Sequence, residues 1–180
     1  MPKPSKLFSE LSKLPDAYLW DAWVLACDPA LDGNCGLALF DESGGRSDCF
    51  SGNLSQVEDH LFVLSDMVNL KLLFAYEYVP HWNRARDMRK AGNDILAMVK
   101  THFARRNKCF RIHPKTWQSA VGVTKYVSTC KQNGVDTKFA SLEIAKLTYP
   151  NVTDHNVADA LNIGDYFFSE LEKVRNIRRK

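Results

Sequence analysis

Short apolar runs separated by turn-forming residues dominate the first third of the chain. Residues 22–27, 35–40 and about 47–51 form three such runs. Pro, Gly, Asp and Asn fill the intervening stretches 28–34 and 41–45, and residues of this kind favour turns. The pattern predicts three successive strands in an antiparallel meander.

Helical spacing then alternates with two more short apolar runs. Val57, Leu61, Leu64 and Val68 recur at intervals of three and four, which places them on one face of a helix. The continuous run 72–78, apolar on both faces, is typical of a central parallel strand. In all, the pattern predicts helices over about 54–68, 83–106, 116–132, 137–147 and 154–177, and strands over 72–78 and 109–112.

This order of elements predicts an α/β layered domain, with a mixed five-stranded sheet flanked by helices. Residues 20–180 are expected to form that single domain. Residues 1–19 are expected to be an N-terminal extension carrying a short amphipathic helix that Pro15 ends.

Composition places the chain among ordinary globular proteins. Hydrophobic residues make up 45% and charged residues 25% of the 180 residues. No apolar run reaches the roughly 18 residues of a membrane span, and no signal peptide begins the chain, so we expect no membrane association and a cytoplasmic location, in a bacterial cell or a phage-infected host. The five cysteines lack paired spacing, which argues against a disulfide framework or a zinc site.

Three acids stand in or at the end of apolar runs that should be buried. Asp28 closes the first strand, Glu77 ends the fourth, and Asp159 lies within the apolar part of the last helix. A buried carboxylate is costly unless its charge is compensated, and hard divalent cations prefer oxygen ligands. Because sites in α/β sheets collect at the carboxyl ends of parallel strands, we expect a shared metal site there.

Positive charge is concentrated in the middle of the chain. Residues 84–115 carry ten Lys and Arg but only two acids, although the net charge of the whole chain is +3. Such a block indicates a polyanionic partner, and with the acids it points to a nuclease that cuts phosphodiesters. A solvated helix face is the alternative interpretation.

Four segments, taken in order, resemble RuvC-type Holliday junction resolvases of the phage and bacterial branch. Asp28-Pro29-Ala30 resembles the turn after the first strand, although the family usually has Gly at the third position. The other segments are Phe74-Ala75-Tyr76-Glu77, His113-Pro114-Lys115-Thr116-Trp117 and Asp154-His155-Asn156-Val157-Ala158-Asp159-Ala160-Leu161.

The resemblance implies a ribonuclease H-like fold and a homodimer that cuts four-way DNA junctions with Mg²⁺ or Mn²⁺. It implies catalytic and metal-binding roles for Asp28, Glu77 and Asp159. Two metal ions per site can serve both ends of an in-line displacement.

The family usually has a fourth ligand near the last acid. Bacterial members place an acid or His three residues before it, where this chain has Asn156, whereas a plastid branch resembles the segment that begins with Asp154 and His155. Asp154 is favoured because a carboxylate suits Mg²⁺ better than a neutral imidazole. A helix N-cap is the alternative role for Asp154.

Several residues are candidates for contacts with DNA. Lys125 and Lys131 follow the Trp117 segment, and an aromatic residue just beyond Glu77, either Tyr78 or Trp82, is a candidate wedge between bases. Trp117 itself is expected to be structural. Further candidates for phosphate contacts are Arg84, Arg86, Arg89, Lys90 and, more weakly, Lys138.

Two other functions compete with junction resolution. The first is a different ribonuclease H-like activity, on RNA–DNA hybrids or flaps, which uses similar acids. The second is a non-catalytic nucleic-acid-binding module, which the neutral Asn156 encourages.

Overall fold

The computed structural model describes residues 4–29, 33–67, 71–78, 86–104, 106–130 and 134–180, without the side chains of residues 67 and 86–88. The strands are β1 (Ala22–Asp28), β2 (Cys35–Phe40), β3 (Arg46–Gly52), β4 (Lys71–Glu77) and β5 (Asn107–Ile112). The helices are α1 (Lys6–Leu11), α2 (Asp16–Trp20), α3 (Leu54–Met67), α4 (Arg86–His102), α5 (Pro114–Ala120), α6 (Val123–Thr129), α7 (Thr137–Thr148) and α8 (His155–Arg178).

The five strands form one mixed sheet in the order β3-β2-β1-β4-β5. The pairs β1–β2 and β2–β3 are antiparallel, as expected of a meander. The pairs β1–β4 and β4–β5 are parallel, and each follows a crossover through a helix. The predicted fold class, a mixed five-stranded sheet flanked by helices, is confirmed.

Side chains alternate between the two faces of the sheet and pack against two separate layers of helices. On one face Val24, Ala26 and Ala75 join a core formed with α1, α2 and α5–α8. On the other face Leu25 and Phe74 pack against α3 and α4. The long helix α8 is the main cover of the first face, and this helix carries Asp159.

The N-terminal segment packs onto α8. Leu7, Leu11 and Leu14 are buried in the same core as the sheet. The guanidinium of Arg178 donates hydrogen bonds to the carbonyl oxygens of Ser12 (2.7 Å) and Leu14 (3.0 Å). The described part of residues 1–19 therefore contributes to the stability of the domain, and the predicted boundary at residue 19 stays a prediction.

One helical prediction was wrong in detail, and one short helix was not predicted. The segment predicted as one helix over 116–132 is broken, because Gly122 adopts a left-handed conformation with φ of +96° between α5 and α6. The short helix α2 was not predicted, since its five residues are too few to show a period.

Two compositional expectations can be compared with the described residues. All five cysteines are free thiols. Within the described ranges, no helix combines the length and the apolar character that crossing a bilayer requires.

Candidate active site

Asp28 and Glu77 lie side by side at the carboxyl ends of two parallel strands. The register pairs Cys27 of β1 with Tyr76 of β4, so the next residues along the two strands are the two acids. Alternation places both side chains on the face that α8 covers, the face of Ala26 and Ala75. The two residues are only 6% and 9% exposed.

Gly36 lets the first turn of α8 approach Asp28. Gly36 pairs with Asp28 across the β1–β2 ladder. A Cβ atom at Gly36 would lie 1.9 Å from the backbone oxygen of Asn156, so only glycine permits this contact. The close approach brings the start of α8 to the end of the sheet where the two acids lie.

Asp159 lies one turn beyond Asn156 and therefore on the same side of α8. Ser141 of α7 forms a side-chain hydrogen bond with its carboxylate. The amide nitrogen of Asn162 in turn donates to Ser141 Oγ (2.7 Å) and to the Ser141 carbonyl oxygen (2.9 Å). Because Ser141 and Asn162 are each 1% exposed, this chain of hydrogen bonds fixes the half-buried Asp159.

Burial raises the pKa of Asp159 to about 6. The hydrogen bond from Ser141 opposes this shift, and so do the charges of Lys138 and His155. Lys138, a weaker candidate in the sequence, thus lies near enough to Asp159 to influence its ionisation.

Glu77 is held by the indole of Trp117. The Trp117 Nε1–H donates a buried hydrogen bond of 2.6 Å to Glu77 Oε2. Burial raises the pKa of Glu77 to about 7, the hydrogen bond from Trp117 opposes this shift, and the charge of Asp159 adds to it. Glu77 and Asp159 therefore share one electrostatic environment, although they come from β4 and α8.

The described side chains at this site are of the kind that bind a divalent cation, but in their present arrangement they do not form a complete set of ligands. Among the described residues, no three His, Cys, Asp or Glu side chains lie close enough together, as arranged, to hold one ion. Asn156 Oδ1 is buried and accepts no hydrogen bond from any described residue, which is costly for a carbonyl oxygen. A hard cation would satisfy that oxygen and lower the raised pKa values of Glu77 and Asp159, so the residues fit a metal of the Mg²⁺ class.

The candidates for a fourth ligand differ in their surroundings. Asp154 is exposed and caps α8, and its Oδ1 accepts from the backbone nitrogens of Asn156 (2.8 Å) and Val157 (2.9 Å). His155 is exposed, and its Nδ1 lies 3.2 Å from the carbonyl oxygen of Lys138. Asp154 as a ligand stays a prediction, and the buried Asn156 Oδ1 is the second candidate.

The proposed DNA contacts are only partly within the described residues. Lys125 is exposed on α6, and Tyr78 is half-buried with its ring under the guanidinium of Arg111. The backbone of Arg86 begins α4, but its side chain is not described. Arg84, Lys131 and Trp82 lie outside the described residues.

Reasoning from sequence missed three residues that hold the carboxylates. Trp117 was expected to be structural, and it is also the hydrogen-bond donor to Glu77. Ser141 and Asn162 were not singled out, although each is a polar residue within an apolar helical stretch, and that signal was available. A buried polar residue of this kind needs a partner, and here the partners lead to Asp159.

Comparison with solved structures places this geometry in a known fold. Thermus thermophilus RuvC in complex with a Holliday junction substrate matches with a TM-score of 0.57 over 83% of this chain and 96% of that chain, at 10% identity. A second structure of Thermus thermophilus RuvC matches with a TM-score of 0.50 at 12% identity. The chain has the ribonuclease H-like fold of RuvC. No protein-family model and no curated protein matches the sequence, so the likeness to RuvC is one of fold.

Proposed function

We propose that this protein is a metal-dependent endonuclease that resolves four-way DNA junctions by paired phosphodiester hydrolysis. The observation that carries the proposal is the pair of buried acids, Asp28 and Glu77, at the carboxyl end of a RuvC-like sheet, with Asp159 electrostatically coupled to Glu77. Burial raises the pKa of Glu77 and of Asp159, and carboxyl groups with pKa values shifted in this way cluster at functional sites. Three of the four sequence segments that resemble RuvC-type resolvases contain these same acids, and the fourth contains Trp117, the hydrogen-bond donor to Glu77.

Asp28, Glu77 and Asp159 would hold Mg²⁺ or Mn²⁺, with two ions expected per site and a fourth ligand from Asp154 or Asn156. Bound divalent cations supply a water of lowered pKa and stabilise charge on the leaving oxygen. The chain contributes orientation, because the Trp117 indole fixes Glu77 and Ser141 fixes Asp159.

The partners are proposals of the same kind. RuvC of known structure binds a Holliday junction substrate, and we propose that this chain also binds branched DNA. Cutting two opposed strands of a junction requires two active sites, which favours a homodimer. Proposed contacts with DNA are Lys125, Lys131, Arg84 and Arg86, with Tyr78 or Trp82 as a wedge between bases.

A cleavage assay tests the proposal and its rivals together. Wild-type protein is incubated with Mg²⁺ and a four-way junction, a linear duplex or an RNA–DNA hybrid of the same sequence. We expect paired cuts in the junction alone, and the Asp28→Asn variant should bind the junction without cutting it. Preferential cutting of the hybrid would support another ribonuclease H-like activity. DNA binding without cutting in every condition would support a non-catalytic module.

A further inference from the structure

A cleft runs between the N-terminal helix α1 and the edge strand β5. Its larger part is a cavity of about 580 Å³ whose walls include Lys6, Tyr78, Arg111, His113 and Thr116. A smaller cavity of about 290 Å³ borders it, and Lys6, Glu10 and Arg111 line both. Arg111 and Lys6 therefore lie at the junction of the two cavities, one on each wall.

Arg111 is held in place by tyrosines. Its Nε donates a hydrogen bond of 2.8 Å to the hydroxyl of Tyr76, and its guanidinium lies 5.6 Å from the centroid of the Tyr78 ring. Arg111 is exposed, and it forms no ion pair with any acid in the part of the chain that the structure describes. A guanidinium that is oriented in this way keeps its charge and its terminal N–H groups for an anion.

The surroundings of Arg111 are also positive. Lys6, whose side chain is 89% exposed, lines both cavities, and Lys100 lines the smaller one. Glu10 is the one acid among the lining residues described, and it lies 3.7 Å from Lys6 in an exposed pair that contributes little. The net positive charge of the side chains that line the cleft therefore favours a negatively charged ligand.

The cleft adjoins the candidate active site. Tyr78 directly follows Glu77 in the chain, and Ile112, which also lines the larger cavity, pairs with Glu77 in the sheet. Arg111 pairs with Tyr76, the residue before Glu77, and by alternation its side chain lies on the opposite face of the sheet from the carboxylates, so a DNA strand that contacts both would cross the β5 edge. The ligand that suits both places is the phosphodiester backbone of one strand.

We propose that this cleft binds the backbone phosphates of the DNA strand next to the scissile position, with Arg111 as the central contact and Lys6 as the contact from the opposite wall. The proposal rests on the proposed function, because it takes branched DNA as the substrate. It makes the N-terminal helix a part of the DNA-binding surface, a role beyond its packing on α8. On this proposal Tyr78 holds Arg111 rather than entering between bases, since the guanidinium covers one face of its ring, and Trp82 stays the candidate wedge.

Binding of a fluorescently labelled four-way junction tests the proposal. The affinity is measured by anisotropy in EDTA, so that no strand is cut, over a series of salt concentrations. Arg111→Gln should weaken binding by about five- to tenfold and reduce the salt slope by about one unit. The matched control is Lys108→Gln, which removes the same charge from the same strand, where Lys108 lies 5.5 Å from the centroid of the Tyr18 ring. The control should bind like the wild type.

The possible outcomes separate this proposal from the proposed function. Three results would each overturn the proposed role of the cleft. They are wild-type affinity in Arg111→Gln, an equal loss of affinity in Lys108→Gln, and no binding of the junction by the wild type. Lys6→Gln, a change at an exposed position, should also weaken binding of the junction. If Arg111→Gln does not fold, as judged by circular dichroism, the affinity of Lys6→Gln tests the proposal in its place. If the wild type binds the junction but never cuts it, the proposed nuclease activity is overturned. The affinities of Arg111→Gln and Lys108→Gln then still test the cleft as a DNA-binding site.

Discussion

Trp117 Nε1–H donates a hydrogen bond of 2.6 Å to Glu77 Oε2, and the indole is 1% exposed. The bond joins helix α5 to the end of strand β4 across 40 positions of sequence. Donation to a carboxylate favours the ionised form, so Trp117 keeps the pKa of Glu77 lower than burial alone would set it. Glu77 is thus both oriented and kept available for a cation by one neighbouring side chain.

Substitution of Trp117 should shift the pH dependence of cutting. Trp117→Phe removes the hydrogen bond that opposes the upward shift of the Glu77 pKa, so protons should compete more strongly with Mg²⁺ for this carboxylate, and at sub-saturating Mg²⁺ the pH of half-maximal activity should rise by about one unit. The rate of junction cleavage is measured as a function of pH. Trp23→Phe is the control, because Trp23 packs on the other face of the sheet. An unchanged profile in Trp117→Phe would contradict the role given to the indole.

The metal-free protein should lose stability as the pH rises. The folded-state pKa values of Glu77 and Asp159 are raised to about 7 and about 6, so between about pH 4 and pH 7 the folded state holds more protons than the unfolded state. The free energy of unfolding therefore falls across this window. In EDTA the melting temperature should be lower at about pH 8 than at about pH 5, and Mg²⁺ should restore it at the higher pH.

The variant Glu77→Gln provides the control for that experiment. It cannot ionise at position 77, so its loss of stability between the two pH values should be smaller than that of the wild type. A melting temperature that rises with pH in EDTA would contradict the pKa shifts on which the prediction depends.

Ser141 should act on metal binding through Asp159. Ser141→Ala removes the hydrogen bond to the carboxylate, and loss of such an outer partner typically weakens metal binding by about 10- to 100-fold. Mn²⁺ affinity is measured by titration calorimetry. Ser169→Ala is the matched control, since Ser169 lies on the exposed side of α8 and its hydroxyl donates to the Tyr166 carbonyl oxygen. Equal affinities in the two variants would show that Ser141 has no such role.

The fourth ligand can be assigned by two substitutions that keep the fold. Asp154→Asn retains an N-cap, and Asn156→Leu removes a buried oxygen that has no hydrogen-bond partner among the described residues, so neither should lower the melting temperature of the metal-free protein much. We expect Asn156→Leu to weaken Mn²⁺ binding about tenfold and Asp154→Asn to leave it nearly unchanged. The opposite result would assign the ligand to Asp154, as the sequence predicts.

The placement of Asp28 and Glu77 was predictable because strand ends follow from the apolar pattern. An acid directly after a buried run marks the carboxyl end of a strand, and parallel pairing then brings two such ends together. The relation of Trp117 to Glu77 was not predictable in this way, since a hydrogen bond across 40 positions depends on how α5 packs. The same holds for Asn156, whose burial depends on the close approach that Gly36 permits.

Local conformation limited the prediction of the helices. The apolar spacing through residues 116–132 continues across Gly122, so the spacing does not show the break. Gly122 adopts positive φ where α5 ends and α6 begins, and a glycine can adopt this conformation at low cost.

Diffraction from crystals soaked in Mn²⁺ shows directly whether the three carboxylates bind metal together. The anomalous signal locates the ions without reference to any assumed ligand. We expect Mn²⁺ at the carboxyl end of β1 and β4, bound by Asp28, Glu77 and Asp159. Occupied Mn²⁺ sites elsewhere on the protein, with no ion bound by these three carboxylates, would contradict it.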